Sequence, residues 1–216
     1  MDESWYEPEH GVRHDPTLPD VMRQSIIRRY AHAYPQHKVF VETGTLAGDT
    51  TNAMISEFNV LHTIELYAPL HAAATKRFAN EKRVTCHLGD SADWLPRILT
   101  ELDESLAIFW LDGHYSGPGT GQANVDSPVA YEIEAILATG VPHVVLIDDA
   151  RLFGAKTPYT GYPTLEWVRD IATTQERQFE FAYGDDIIRI VPAWSWLTES
   201  GYDAKAPVDA RRTQRR

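Results

Sequence analysis

Short apolar runs recur along this chain, each closed by an acidic side chain and followed by a stretch with helical spacing, and that alternation limits the fold more than any other feature. "KVFVETG" (38–44) leads into "DTTNAMISEF" (49–58), a predicted helix with Asp49 as its cap. "VLHTIEL" (60–66) precedes a helix from Pro69 whose Leu70, Ala74 and Phe78 share a face. "RVTCHLG" (83–89) precedes a helix holding Trp94, Leu95, Ile98, Leu99 and Leu102, with Pro96 predicting an irregular first turn. "LAIFWLD" (106–112) is followed by a glycine-rich loop and "SPVAYEIEAILATG", with Ser127 as cap, Pro128 in the first turn and Gly140 as terminator. The fifth run, "HVVLIDD", precedes a helix from about 163 to 175 that carries Leu165, Val168, Ile171 and Ala172. Strand–helix alternation of this kind predicts a parallel sheet with helices on both faces. "FEFAYGDDIIRIVPA" (179–193) departs from it: two strand-like runs around "GDD" predict a β-hairpin and an antiparallel edge.

Before the first strand, Met22, Ile26, Tyr30 and Ala33 have helical spacing over 20–33, and Pro35 closes that packing helix. No linker or charge block divides the 216 residues. The reading is therefore an N-terminal extension and packing helix (1–37), one α/β domain (38–193) and a partly disordered C-terminal tail (194–216). The net charge of −11 argues against a phosphate-backbone binder, and "RRTQRR" at the end reads as a solvated terminus. The single cysteine, Cys86, excludes an internal disulfide framework, and no apolar run approaches a membrane span. The acidic opening "MDESWYEPEH" lacks the basic and apolar regions of a signal peptide, so a cytoplasmic protein is expected.

Ligands of open parallel sheets sit outside the carboxyl ends of the strands. Here those ends carry Glu42, Glu65, Asp90, Asp112 and the pair Asp148–Asp149. A single acid after a strand often caps the next helix. Acids after five consecutive strands repel one another unless ligand hydroxyls, amines or a cation neutralise them. Gly44 and Gly48 in "ETGTLAGDT" match neither the dinucleotide fingerprint nor a P-loop, but let a ligand approach backbone in front of a helix N-terminus. Glu65 lies where a carboxylate can accept both hydroxyls of a ribose, and Asp90 with Ser91 in "GDSADW" could border an adenine.

The order of "VETGTLAGDTT", "TIEL", "LGDSADW", "FWLDGHYSG", "VVLIDDARLF" and the final hairpin resembles class I S-adenosylmethionine-dependent methyltransferases. Within them it is similar to the metal-dependent O-methyltransferases of the macrocin O-methyltransferase type, which act on sugar hydroxyls of natural products. The resemblance covers about 38–193 and implies a Rossmann-like doubly wound, mostly parallel seven-stranded sheet ending in the antiparallel hairpin. It implies that Glu42, Gly44 and Gly48 form the cofactor turn, that Glu65 holds the ribose, and that Asp90 and Ser91 border the adenine. Asp112, Asp148 and Asp149 would bind a divalent ion, with magnesium the expected one because the ligands are all oxygen. Asp112 would also touch the cofactor, and His114, standing where the family has an acidic general base, would take the proton of the hydroxyl that the ion at Asp112 activates, so His114 and Asp112 are the expected catalytic residues.

The acceptor is expected to be a small molecule with a hydroxyl group, with no nucleic acid and no membrane as partner; a homo-oligomer is left open. The loop 114–127 is the lid candidate, and Tyr115, Phe153, Tyr159 and Tyr162 are candidates for an acceptor wall. Trp5, Trp194 and Trp196 read as covers for core edges, and His10, His14, His32, His37 and His62 have no ligand spacing. Two other readings stay open: a metal-dependent hydrolase or sugar-modifying enzyme on a similar sheet, and a non-catalytic binder of S-adenosylmethionine or S-adenosylhomocysteine.

Overall fold

A computed structural model describes residues 20–114, 127–154, 160–174 and 179–193. The lid candidate except for its two end residues, Tyr115, Tyr159, Trp5, Trp194, Trp196, His10, His14 and the C-terminal tail lie outside the described residues.

The strands are β1 (Val39–Thr43), β2 (Val60–Glu65), β3 (Val84–Leu88), β4 (Ala107–Leu111), β5 (Val144–Ile147), β6 (Phe179–Gly184) and β7 (Ile187–Pro192). They form one seven-stranded sheet in the order β3-β2-β1-β4-β5-β7-β6. The first five are parallel, and β7 runs antiparallel to both β5 and β6. β1, β4 and β5 are buried along their whole lengths, which is why they read as continuous apolar runs with no polar alternation.

Side-chain alternation divides those central strands between two cores. Val39, Val41, Phe109, Leu111, Val145 and Ile147 face one layer, which includes Leu95, Ile98, Ile133 and Val168. Phe40, Ile108, Trp110, Val144 and Leu146 face the other, with Ile26, Ile27, Met54 and Phe58. The first layer is made by α4 (Ser91–Leu102), α5 (Val129–Ala138) and α6 (Leu165–Thr174); the second includes α1 (Asp20–Ala33) and α2 (Asp49–Met54). α3 (Ala68–Arg77) lies against β2 and β3. No helix among the described residues is long and apolar enough to cross a membrane.

Several boundaries differ from the sequence reading. α2 stops at Met54, after which three turn residues bring Phe58 into the core, and Gly48 in the left-handed region, not Asp49, takes its N-cap position. Asp49 is its first helical residue and pairs with Arg77 at 2.7 Å. α4 runs through Pro96 without a break, with the Asp90 carboxylate capping it at Ala92 N (2.9 Å). The buried face of α1 is Ile26, Ile27 and Ala31, whereas Met22 is exposed. That rotation turns Arg23, one turn before Ile27, toward the sheet.

Candidate cofactor and metal site

The glycine turn after β1 is shaped by what it must pass. Gly44 has φ 82°, and a Cβ there would lie 2.4 Å from the Asp112 carbonyl oxygen. Only glycine lets the end of β1 lie this close to the end of β4. Gly48 has φ 79°, and a Cβ there would meet the Phe78 ring at 2.8 Å. Both glycines therefore have packing reasons independent of any ligand. Beneath the turn, Glu42 is buried and accepts hydrogen bonds from Thr51 and Thr63. Burial pushes its carboxyl up to about 8, against those two hydroxyls and helped by repulsion from Asp112 and Glu65. Glu42 thus braces the turn from below.

Glu65 is held from two sides. Leu46 N donates to its Oε2 at 2.9 Å and Tyr67 N to its Oε1 at 2.8 Å. An ionised carboxylate has about four acceptor positions, so both oxygens keep capacity for ligand hydroxyls while their direction is fixed. Asp90 acts as the helix cap, and Ser91, buried beside it, donates to Glu132.

At the other end of this edge, the Asp148 amide donates to the Leu111 carbonyl (3.0 Å), and Asp149 adopts φ 59°, ψ 41°, a left-handed conformation that aspartate tolerates better than most side chains. His114 stands between the carboxylates, with Nδ1 3.4 Å from Asp112 Oδ1 and Nε2 3.2 Å from Asp149 Oδ2. Burial lowers the His114 pKa, but hydrogen bonding and attraction to Asp112, and then the charges of Asp149 and Asp148, outweigh it and raise the net value. Asp148 is shifted above the carboxylate range by burial first and by Asp112 and Asp149 next, with Arg23 opposing.

Three further groups complete this centre, and the sequence reading missed all of them. Arg23 Nε lies 2.8 Å from Asp148 Oδ2, and Arg23 NH2 lies 3.9 Å from Asp149 Oδ1. Arg151 NH1 lies 2.6 Å from Asp149 Oδ1 and also contacts Asp186, a buried residue of the hairpin turn that accepts from Arg151 N at 2.9 Å. Glu132, on α5, hydrogen-bonds Ser91 and Thr43, while Thr43 Oγ1 accepts from Asp112 N at 3.3 Å. Burial pushes Glu132 up to about 7. The only available signals were weak: Arg23 one turn before Ile27, an arginine next but one to the aspartate pair, and a second aspartate in the hairpin turn.

The predicted metal set is only partly gathered. One ligand atom each from Asp112, His114 and Asp149 lie within 4.8 Å of one another, whereas Asp148 groups with Asp149 and Asp186. Asp149 Oδ2 is buried without a hydrogen-bond partner among the described residues, and His114 Nε2 lies 3.2 Å from it. An orphaned carboxylate oxygen facing a second carboxylate and an imidazole fits a divalent cation. A small cleft opens here, with Asp112, His114, Ser127, Glu132, Asp148 and Tyr162 in its lining. Of the acceptor-wall candidates, Tyr162 lines this cleft and Phe153 is buried edge-on behind it, their ring centroids 5.3 Å apart.

No protein-family model matches the sequence, and no curated protein matches it at significance. Solved structures do match. The O-methyltransferase TomG from Streptomyces achromogenes, involved in tomaymycin synthesis and solved with S-adenosylmethionine, is 18% identical, with 82% of each chain covered and a TM-score of 0.52. A caffeoyl-CoA O-methyltransferase candidate from Staphylococcus aureus is 14% identical over 81% of this chain and 85% of its own, with a TM-score of 0.56. Cofactor-bound Rv0187 from MTB is 15% identical over 82% and 84%, with a TM-score of 0.51. The chain has their fold.

Proposed function

We propose that this protein is an S-adenosylmethionine-dependent methyltransferase that methylates a hydroxyl of a small molecule, of sugar or natural-product type, with help from a divalent cation. The observation that carries the reading is Glu65: a buried carboxylate aimed by two backbone amides at the end of β2, beside the Gly44–Gly48 turn. That is the place and chemistry of a ribose acceptor in a Rossmann-like sheet. The shared fold with the S-adenosylmethionine complex of TomG supports the cofactor assignment.

Methyl transfer from a sulfonium is an in-line displacement, in which the acceptor oxygen approaches the methyl carbon to about 3 Å, the O–C bond forms as the C–S bond breaks to leave the neutral thioether, and a base takes the hydroxyl proton. In this reading Glu65 orients the nucleoside, Asp90 and Ser91 border its base, and Glu42 and Gly44 keep the turn against Asp112. The Asp112–His114–Asp149 centre lines the side of the cleft where an acceptor would be deprotonated. A divalent ion held there supplies Lewis acidity that lowers the pKa of a neighbouring hydroxyl. Tyr162 and Ser127 line the space for the acceptor.

The test is calorimetric titration of chelator-treated protein with S-adenosylhomocysteine. Saturable one-to-one binding is expected, and Glu65→Ala should weaken it by roughly 10- to 100-fold, the loss of hydrogen bonds to a charged group. Asp112→Ala and Asp149→Ala should leave that affinity within a few-fold while abolishing turnover. Absence of nucleoside binding in the folded wild-type protein would overturn the assignment.

A further inference from the structure

The acidic edge offers two places for a cation, and they differ in what already occupies them. In the Asp148–Asp149–Asp186 group, Arg23 Nε is 2.8 Å from Asp148 Oδ2, and the Arg151 guanidinium sits on Asp186 and on Asp149 Oδ1. Both guanidiniums hold fixed positive charge throughout the ordinary pH range. A divalent ion entering that group would face two cations already bonded to its ligands.

The other group is arranged differently. Arg151 contacts Asp149 through Oδ1, which leaves Oδ2 turned toward His114 Nε2 at 3.2 Å, buried and without a hydrogen-bond partner among the described residues. Asp149 is only 3% exposed, so this oxygen is an acceptor held away from water with no donor on it among the described residues. The other ring nitrogen, Nδ1, lies 3.4 Å from Asp112 Oδ1, and one ligand atom from each of the three residues falls within 4.8 Å of the others. A carboxylate beside one ring nitrogen makes the other a more basic ligand. Two ligand atoms on one ion, each at about 2.1 Å, are themselves about 3 Å apart, close to the spacing of Asp149 Oδ2 and His114 Nε2.

We propose that Asp112, His114 and Asp149 form a mixed oxygen–nitrogen site for one borderline transition-metal dication of the manganese, iron or cobalt class, and that Arg23 and Arg151 close the adjoining carboxylates to a second ion. An all-aspartate set favours magnesium, whereas substituting an imidazole moves preference toward the transition metals. His114 is then an ion ligand and not a free base, and Asp148 is a counter-charge for Arg23 and not an ion ligand. The proposal rests on the methyltransferase reading for the ion's purpose, although its test needs neither cofactor nor turnover.

Chelator-treated full-length protein is titrated separately with Mn2+, Co2+ and Mg2+. Mn2+ and Co2+ should bind with a stoichiometry of one and at least ~10-fold more tightly than Mg2+. His114→Asp, which restores an all-oxygen set, should reduce that preference to a few-fold at most, while Asp148→Asn should leave it in place. Pulsed electron paramagnetic resonance of the Mn2+-loaded wild type should detect a directly coordinated nitrogen, and that readout holds even if a variant fails to fold. Equal or tighter Mg2+ binding, two ions per chain, or absence of coordinated nitrogen would overturn the proposal. Failure of S-adenosylhomocysteine to bind would instead overturn the enzyme assignment and leave the ion site standing.

Discussion

Gly44 and Glu42 make the two ends of the central strands interdependent. With its would-be Cβ only 2.4 Å from the Asp112 carbonyl oxygen, Gly44→Ala must move β1 or β4, at a site whose φ of 82° already costs an L side chain about 1–3 kcal/mol. The expected result is a lower denaturation midpoint together with loss of both nucleoside and metal binding. Glu42 is a titration case. Its folded pKa is raised to about 8 from an ordinary 4.5, so the native state holds a proton that the unfolded chain releases. The resulting stability is fully present below pH 4.5 and is lost as pH rises through 8. Glu42→Gln keeps an acceptor for Thr51 and Thr63 without the charge. It should match the wild type in thermal midpoint near pH ~4 and exceed it near pH ~8.5, by up to roughly 1.4 kcal/mol for each unit of pKa shift removed. Equal midpoints at both pH values would show that Glu42 is not neutral in the native protein.

Among the elements, the hairpin β6–β7 has consequences beyond the sheet edge. Asp185 and Asp186 both have positive φ (50° and 58°), as a two-residue turn that follows the strand twist requires. Asp186 also accepts from Arg151 N, binds its guanidinium, and takes Ala150 N on its own carbonyl at 2.9 Å. Asp186→Ala should cost about 1–3 kcal/mol, because it removes the acceptor of both the Arg151 amide and its guanidinium, which keeps Asp149 alone. The loss is measurable as a denaturant midpoint shift, and the wild-type value would show that the hairpin turn is not the anchor of the aspartate pair. This element also shows where sequence reading stops. "GDD" between strand-like runs was enough to predict the hairpin, and an acid after each apolar run was enough to locate the strand ends, since both are local patterns. The partners of those acids were not legible: Arg23 meets Asp148 across 125 residues and Arg151 meets Asp186 across 35, and no local pattern marks which guanidinium turns inward. The early end of α2 and its Gly48 cap were not legible, because the spacing of 49–58 is helix-like while Phe58 turns into the core.

At the scale of the whole molecule, buried histidines and the buried glutamate pull stability in opposite directions. Burial lowers His143 to about 3, where its Nδ1 accepts from Ala107 N at 3.2 Å, and lowers His87 to about 4. Both are neutral in the native state and charge more readily when unfolded, so their contribution is present above 6.5 and lost as pH falls toward those values. Glu42, Glu132 and Asp148, all raised, act in the alkaline direction and the two histidines shape the acid limb, so thermal stability should fall as pH rises from about 6.5 to 9. His143→Asn, which keeps a nearby acceptor, should flatten the acid limb. A thermal midpoint that rises steadily from pH 5 to 9 would contradict this balance. The doubly wound sheet also gathers the charged centre from both ends of the described chain, Arg23 before β1 and Asp186 between the last two strands. During synthesis, β1 to β5 can pair while the aspartates still lack the turn that orients them. Arg151 and Asp186 meet only when residues 179–193 dock antiparallel beside β5, so at the proposed site ion binding should be a late event that reports completed folding of the entire sheet.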